Sequence, residues 1–121
     1  MSRRLVFAVV LVSFTAACGS DNATVTTPSS GSPNGPSISI VTGAAGLTTT
    51  AYSPNPQTIT RGSSVTFVNN DSTSHTATSS GVFDTGVIAP GGRVAVTLQN
   101  AGSITYKCTI HPNMTGTITV Q

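Results

Sequence analysis

The chain has 121 residues and a formal net charge of +2, with only 7% of its residues charged. Such a length fits one domain, and so few charges exclude the basic surface that nucleic-acid binding needs and weaken long-range steering of partners. Two cysteines, two histidines and two methionines are few enough to be traced one by one.

The N-terminus reads as an address. Ser2-Arg3-Arg4 is a basic start, Leu5 to Phe14 is almost wholly apolar, and Thr15-Ala16-Ala17 supplies small residues before Cys18. This is the pattern of a secretory signal peptide over residues 1–17, and the apolar run is too short for an ordinary transmembrane helix. The segment resembles a bacterial lipoprotein signal, in which a cysteine behind a small residue is lipidated and becomes the new N-terminus. That resemblance implies Cys18 as the lipid anchor and the membrane as a partner; plain secretion is the alternative. Either route exports the protein, to the periplasm or to a membrane-anchored position facing the periplasm or exterior. Residues 18–37 are rich in Ser, Thr, Gly and Pro and bury too little apolar surface to offset their ordering entropy, so a flexible linker is expected there. The folded domain is then 38–121, close to the smallest size that sustains its own core. A Cys18–Cys108 disulfide would tie a loose tail to a strand end, and each cysteine has a better use.

From residue 37 onward the period is two. Ser37–Val41, Ser64–Val68, Val94–Leu98, Ile104–Cys108 and Gly116–Val120 each alternate apolar with polar residues, as half-buried antiparallel strands do. Pro54 and Pro56, Arg61-Gly62-Ser63, Ala89-Pro90-Gly91-Gly92 and Asn100-Ala101-Gly102 break the chain between strands. Short strands at this spacing predict an all-β fold, a Greek-key β-sandwich. Its core is expected from Val65, Phe67, Val94, Val96, Leu98, Ile104, Tyr106, Ile118 and Val120.

The chemistry concentrates in Cys108-Thr109-Ile110-His111-Pro112-Asn113-Met114. A thiol, an imidazole and a thioether recur every third residue, and Pro112 and Gly116 argue against a helix, so a tight loop between two strands is expected. The other histidine, His75, lies in a polar loop after the Ser64 strand, where adjacent strands can bring it to Cys108. Taken singly, Met114 reads as core filler, His75 as a surface residue and Cys108 as an inert buried thiol. Together, two imidazoles, a thiolate and a thioether form the donor set of a copper electron-transfer site. Structural zinc favours a further cysteine or histidine, and the haem pattern Cys-x-x-Cys-His is missing.

The segment Tyr52 to Val120 resembles the plastocyanin and amicyanin branch of the cupredoxins. The resemblance is carried by Tyr52-Ser53-Pro54, by Arg61 to Asp71, by His75, by Phe83-Asp84-Thr85-Gly86, by Ala89-Pro90-Gly91-Gly92 and by Tyr106 to Gly116. It implies one type 1 copper, with His75, Cys108 and His111 as strong ligands and Met114 as the axial one. The short gap between Cys108 and His111 is similar to amicyanin, and Thr76 stands where the family often has asparagine. The implied function is outer-sphere transfer of single electrons, with no enzymatic activity, since four protein ligands leave no position open to a substrate. Redox partner proteins are expected to dock transiently on a small apolar patch around His111, formed by Ala89, Pro90, Ile110 and Pro112, and the protein is expected to be a monomer. A copper-delivery lipoprotein using the same ligands is the alternative function, and a purely structural or adhesive sandwich is a third.

Overall fold

The computed structural model describes residues 35–121. The expected signal peptide 1–17, Cys18 and residues 19–34 of the expected linker lie outside the described residues. Nine strands follow in chain order: β1 (Ser37–Ile40), β2 (Tyr52–Ser53), β3 (Gln57–Ile59), β4 (Ser64–Asn69), β5 (Thr78–Ser79), β6 (Phe83–Asp84), β7 (Arg93–Thr97), β8 (Gly102–Lys107) and β9 (Thr115–Val120). A single 3-10 turn at Ala44–Gly46 is the one helical element among the described residues. The five alternating segments all become strands, shifted by about a residue at their ends. The additional strands are two or three residues long, too short for a period to register in sequence.

The strands form two sheets, in the orders β2-β1-β4-β7 and β3-β9-β8-β5-β6. The sheets are mixed rather than purely antiparallel, because β1 runs parallel to β4, and β3 runs parallel to β9. Alternation still decides which side chains face inward. Ile38 and Ile40 of β1, Val65 and Phe67 of β4, and Ile118 and Val120 of β9 are all buried. Val94 and Val96 are only partly buried, since β7 is an edge strand with one neighbour. Ile104 is also only partly buried, whereas Ile38, Ile40, Tyr52 and Met114 join the core beyond the residues expected there.

Behind the Cys108 loop the core is aromatic. Tyr106 meets Tyr52 and Phe67 edge to face, with ring centroids 4.8 and 5.3 Å apart, and Phe83 closes the group. Such contacts add specific geometry to the large area these rings bury. Tyr106 also lies directly opposite Gly116 in the β8–β9 pairing. The ring occupies the space a side chain at 116 would need, so a Cβ there would overlap its Cζ and Oη atoms.

Gly116→Ala is therefore expected to destabilise the fold by about 1–3 kcal/mol through overpacking. Gly46→Ala, where a Cβ meets nothing within 4 Å, is expected to stay within about 0.5 kcal/mol of the wild type. Denaturant unfolding of both variants checks the contrast.

Candidate metal centre

His75 follows β4, in a polar stretch that needs internal bonds to hold one path. Asn69, fully buried at the end of β4, provides them. Its Nδ2 donates to the carbonyls of Thr73 and Ile88 at 2.8 and 2.9 Å, and its Oδ1 accepts the Asp71 N–H at 2.9 Å. Backbone bonds exchanged between His75 and Ile88, at 3.2 and 2.7 Å, fix His75 itself. The Tyr52 hydroxyl donates to the Thr76 carbonyl at 2.6 Å within the core. A surface-loop sequence thus yields a histidine with no exposed area.

Cys108 follows β8, and its loop closes on itself. The Cys108 N–H donates to the Met114 carbonyl and the Met114 N–H donates to the His111 carbonyl, each at 3.0 Å. That closure is what the spacing of three between Cys108, His111 and Met114 produces in a non-helical turn. Cys108 and Met114 are fully buried, His111 is half-buried, and Ile110 beside it is 46% exposed.

The two ligand loops are brought together by neighbouring strands: the His75 loop leaves β4 in one sheet and runs into β5 in the other, where Thr78 pairs antiparallel with Lys107 at the end of β8. They meet at the Cys108 sulfur, 3.9 Å from Nδ1 of His75 and 3.9 Å from Nδ1 of His111. The two Nδ1 atoms are 3.1 Å apart. First-row metal bonds of about 2.0–2.1 Å to imidazole and about 2.3 Å to thiolate give donor separations in this range, so the triangle fits one ion. Its composition, two imidazoles and a thiolate with a buried thioether on the same loop, suits type 1 copper.

Hydrogen bonds outside the triangle set its chemistry. His75 Nε2 lies 2.7 Å from Oδ2 of Asp71. An ionised carboxylate only accepts, so Nε2 carries a proton, and Nδ1 is the nitrogen that faces Cys108 and His111 and can bind a metal. The Asp71 carboxyl is held down to about 2, first by this bond to His75 and then by the N–H groups of Gly43 and Ser72. Sequence reasoning did not single out Asp71. Its signal was an acid four residues before a histidine in a chain with only three acidic residues.

Thr76 stitches the loops together. Its N–H donates to the Cys108 sulfur at 3.3 Å, while its hydroxyl accepts the Thr109 N–H at 2.8 Å and lies 3.0 Å from the Thr109 hydroxyl. Thr76 thus braces the His75 loop against the Cys108 loop. The His111 N–H donates to the same sulfur at 3.4 Å. Burial pushes the Cys108 thiol up, but the N–H donors of Thr76 and His111, with His75, outweigh it and bring the thiol down to about 6. Burial moves Tyr52 and Tyr106 the other way, well above the ordinary phenol range.

The thiolate absorbance of the metal-free protein should therefore include a component rising with a midpoint near pH 6 rather than at the ordinary ~8.5. Because the folded pKa lies below the unfolded one, the thiolate's contribution to stability is present above ~8.5 and is lost as pH falls through about 6. Cys108→Ser should remove both the absorbance step and that part of the pH dependence.

A family model described as a cupredoxin-like domain matches residues 5–120. No curated protein matches the chain. Among solved structures, the novel purple cupredoxin from Nitrosopumilus maritimus is 28% identical, with 71% of this chain and 99% of that one covered at a TM-score of 0.65. Amicyanin from Paracoccus versutus (Thiobacillus versutus) is 26% identical over 74% of this chain and 84% of its own, with a TM-score of 0.61. A reduced Cu(I) form of an amicyanin variant, 20% identical, covers 74% of this chain and 85% of its own at a TM-score of 0.62, a likeness of fold. Because the family model spans residues 5–120, all but the last of the described residues included, the chain belongs to the cupredoxin-like domain family.

Proposed function

We propose that this cupredoxin is a type 1 copper protein that carries single electrons between redox partners outside the cytoplasm. The observation that carries the reading is the convergence of His75 Nδ1, Cys108 Sγ and His111 Nδ1 at separations of 3.1–3.9 Å, from two loops already locked in place. Copper, when bound, supplies the one-electron couple. His75, Cys108 and His111 would hold it as strong ligands, with Met114 as the weak axial donor from the closed end of the loop. Soft sulfur suits copper(I) and imidazole suits copper(II), so one donor set serves both states.

The chain's own part is to keep that set still and to offer one route in. His75, Cys108 and Met114 have no exposed area, so they exclude water and solutes. The half-buried His111 turns Nδ1 toward the sulfur and His75, which leaves the far edge of its ring as the shortest path outward. Ile110, Pro112, Ala89 and Pro90 are exposed and provide apolar surface of the kind that brief, weak docking uses. We assign the redox partners to this end of the sandwich, and we read the protein as a monomer and not an enzyme, with four protein donors and no position for a substrate. The basic and apolar start of the chain and Cys18 support export, as a periplasmic protein or a lipid-anchored one. Among the described residues no helix is long and apolar enough to cross a membrane.

Titrating the purified chain with copper(II) should give an intense thiolate-to-copper visible band that saturates at one equivalent and cycles with reductant and oxidant without loss of metal. The band should vanish in Cys108→Ser. A chain that gives no such band, or a Cys108→Ser variant that keeps it, contradicts the assignment; ready loss of copper(I) to a competing chelator on each cycle would favour copper delivery. His111→Ala should slow electron exchange and lower copper affinity together, by more than the roughly 10–100-fold typical of losing an outer partner of a metal ligand.

A further inference from the structure

The geometry points to Asp71 as a positioning residue that holds His75 in its metal-binding tautomer and biases the site toward the oxidised state; the inference rests on the copper reading above. Asp71 is buried, 6% exposed, and every hydrogen bond it makes through its carboxylate is accounted for. Oδ1 accepts the Gly43 N–H at 3.0 Å and the Ser72 N–H at 2.8 Å, while Oδ2 faces His75 Nε2 at 2.7 Å. Its own N–H is tied to Asn69, and Asn69 is tied to the carbonyls on either side of the loop. The carboxylate therefore cannot rotate away from the ring without breaking bonds to two separate stretches of backbone.

Two consequences follow. The imidazole cannot flip, because a half-turn of the ring would put Cε1 in place of the Nε2 that meets Asp71 and Cδ2 in place of the Nδ1 that faces Cys108 and His111. The site also carries a buried negative charge one imidazole ring from the metal. Among the described residues the ion-pair partner of Asp71 is His75 alone, with no lysine or arginine against it. An uncompensated negative charge close to a metal stabilises the more positive oxidation state, and a carboxylate that accepts from a ligating histidine raises the basicity of that ligand. Both effects favour copper(II) over copper(I). Neither involves the second loop, so this contribution to the potential comes from the β4 side.

The test compares Asp71→Asn with the wild-type chain. Asparagine retains an oxygen that can accept the Nε2 proton but removes the charge. The variant should still bind one copper with the thiolate band intact, while its preference for copper(II) over copper(I) falls about tenfold, which raises the one-electron reduction potential by about 59 mV. An unchanged potential with an intact band overturns the proposal. Nitrogen-15 chemical shifts of the metal-free wild-type protein give an independent readout that needs neither copper nor a folded variant. His75 should carry a proton on Nε2, and an Nε2 without its proton would refute the positioning role directly. If the wild type forms no copper band, the functional reading fails, and the charge bias fails with it; the tautomer result still stands or falls alone.

Discussion

The Cys108 sulfur is the point at which the two ligand loops are joined. It accepts an N–H from Thr76, on the loop after β4, and another from His111, on the loop after β8. The first loop crosses from one sheet to the other and enters β5, whose Thr78 pairs with Lys107 of β8, and this register sets Thr76 against the sulfur. The core fixes the crossing. Tyr106, on the strand that leads into Cys108, packs against Tyr52 and Phe67, and Tyr52 in turn bonds the carbonyl of Thr76. One aromatic group thus connects the sandwich interior to both ligand loops. Gly116 is the space this arrangement requires.

Hydrogen bonds to a sulfur do more than position it. Donors pointed at Cys108 favour its thiolate and bring its pKa down despite complete burial, and the thiolate is the form that ligates metal. On the other loop, the pairing of His75 with Asp71 frees the nitrogen that faces the sulfur. The fold's own bonds thus prepare the thiolate of Cys108 and the orientation of His75 before any ion arrives. A site prepared in this way has little reason to rearrange when the charge on its metal changes. That is the property a carrier of single electrons needs, and it is why a locked pair of loops is more informative here than a pocket would be.

Much of this was legible in the chain itself. Strict alternation marked the five long strands, and the spacing of Cys108, His111 and Met114 marked the closed loop. What sequence could not give was the crossing of the sheets. Alternation is the same in a parallel and an antiparallel pair, so the parallel alignment of β1 with β4 and of β3 with β9 left no trace, and the short β2, β5 and β6 hold too few residues for a period. The burial of His75 was hidden for a related reason. Asn70 to Ser74 is polar, and it is the bonds from Asn69, with those of His75 to Ile88 and of Asp71 to Gly43, that draw it inward. Thr76 was visible as a departure from the family habit, yet its bracing of Thr109 depends on side-chain geometry. Asp71 went unnoticed because an acid near a histidine is common, and its meaning comes from the second carboxylate oxygen being held by Gly43, from a loop far away in sequence.

The central claim is that the fold builds the metal triangle in advance, with His75 and His111 both offering Nδ1 to one ion beside the Cys108 sulfur. Crystal structures of the metal-free and copper-loaded protein test it most directly. The expected result is a single copper bonded to His75 Nδ1, Cys108 Sγ and His111 Nδ1, with Met114 behind it, the Asp71–His75 bond retained, and side-chain positions that superimpose in the two states. Copper bonded through Nε2, placed elsewhere on the chain, or bound only after the two loops change their path would contradict it.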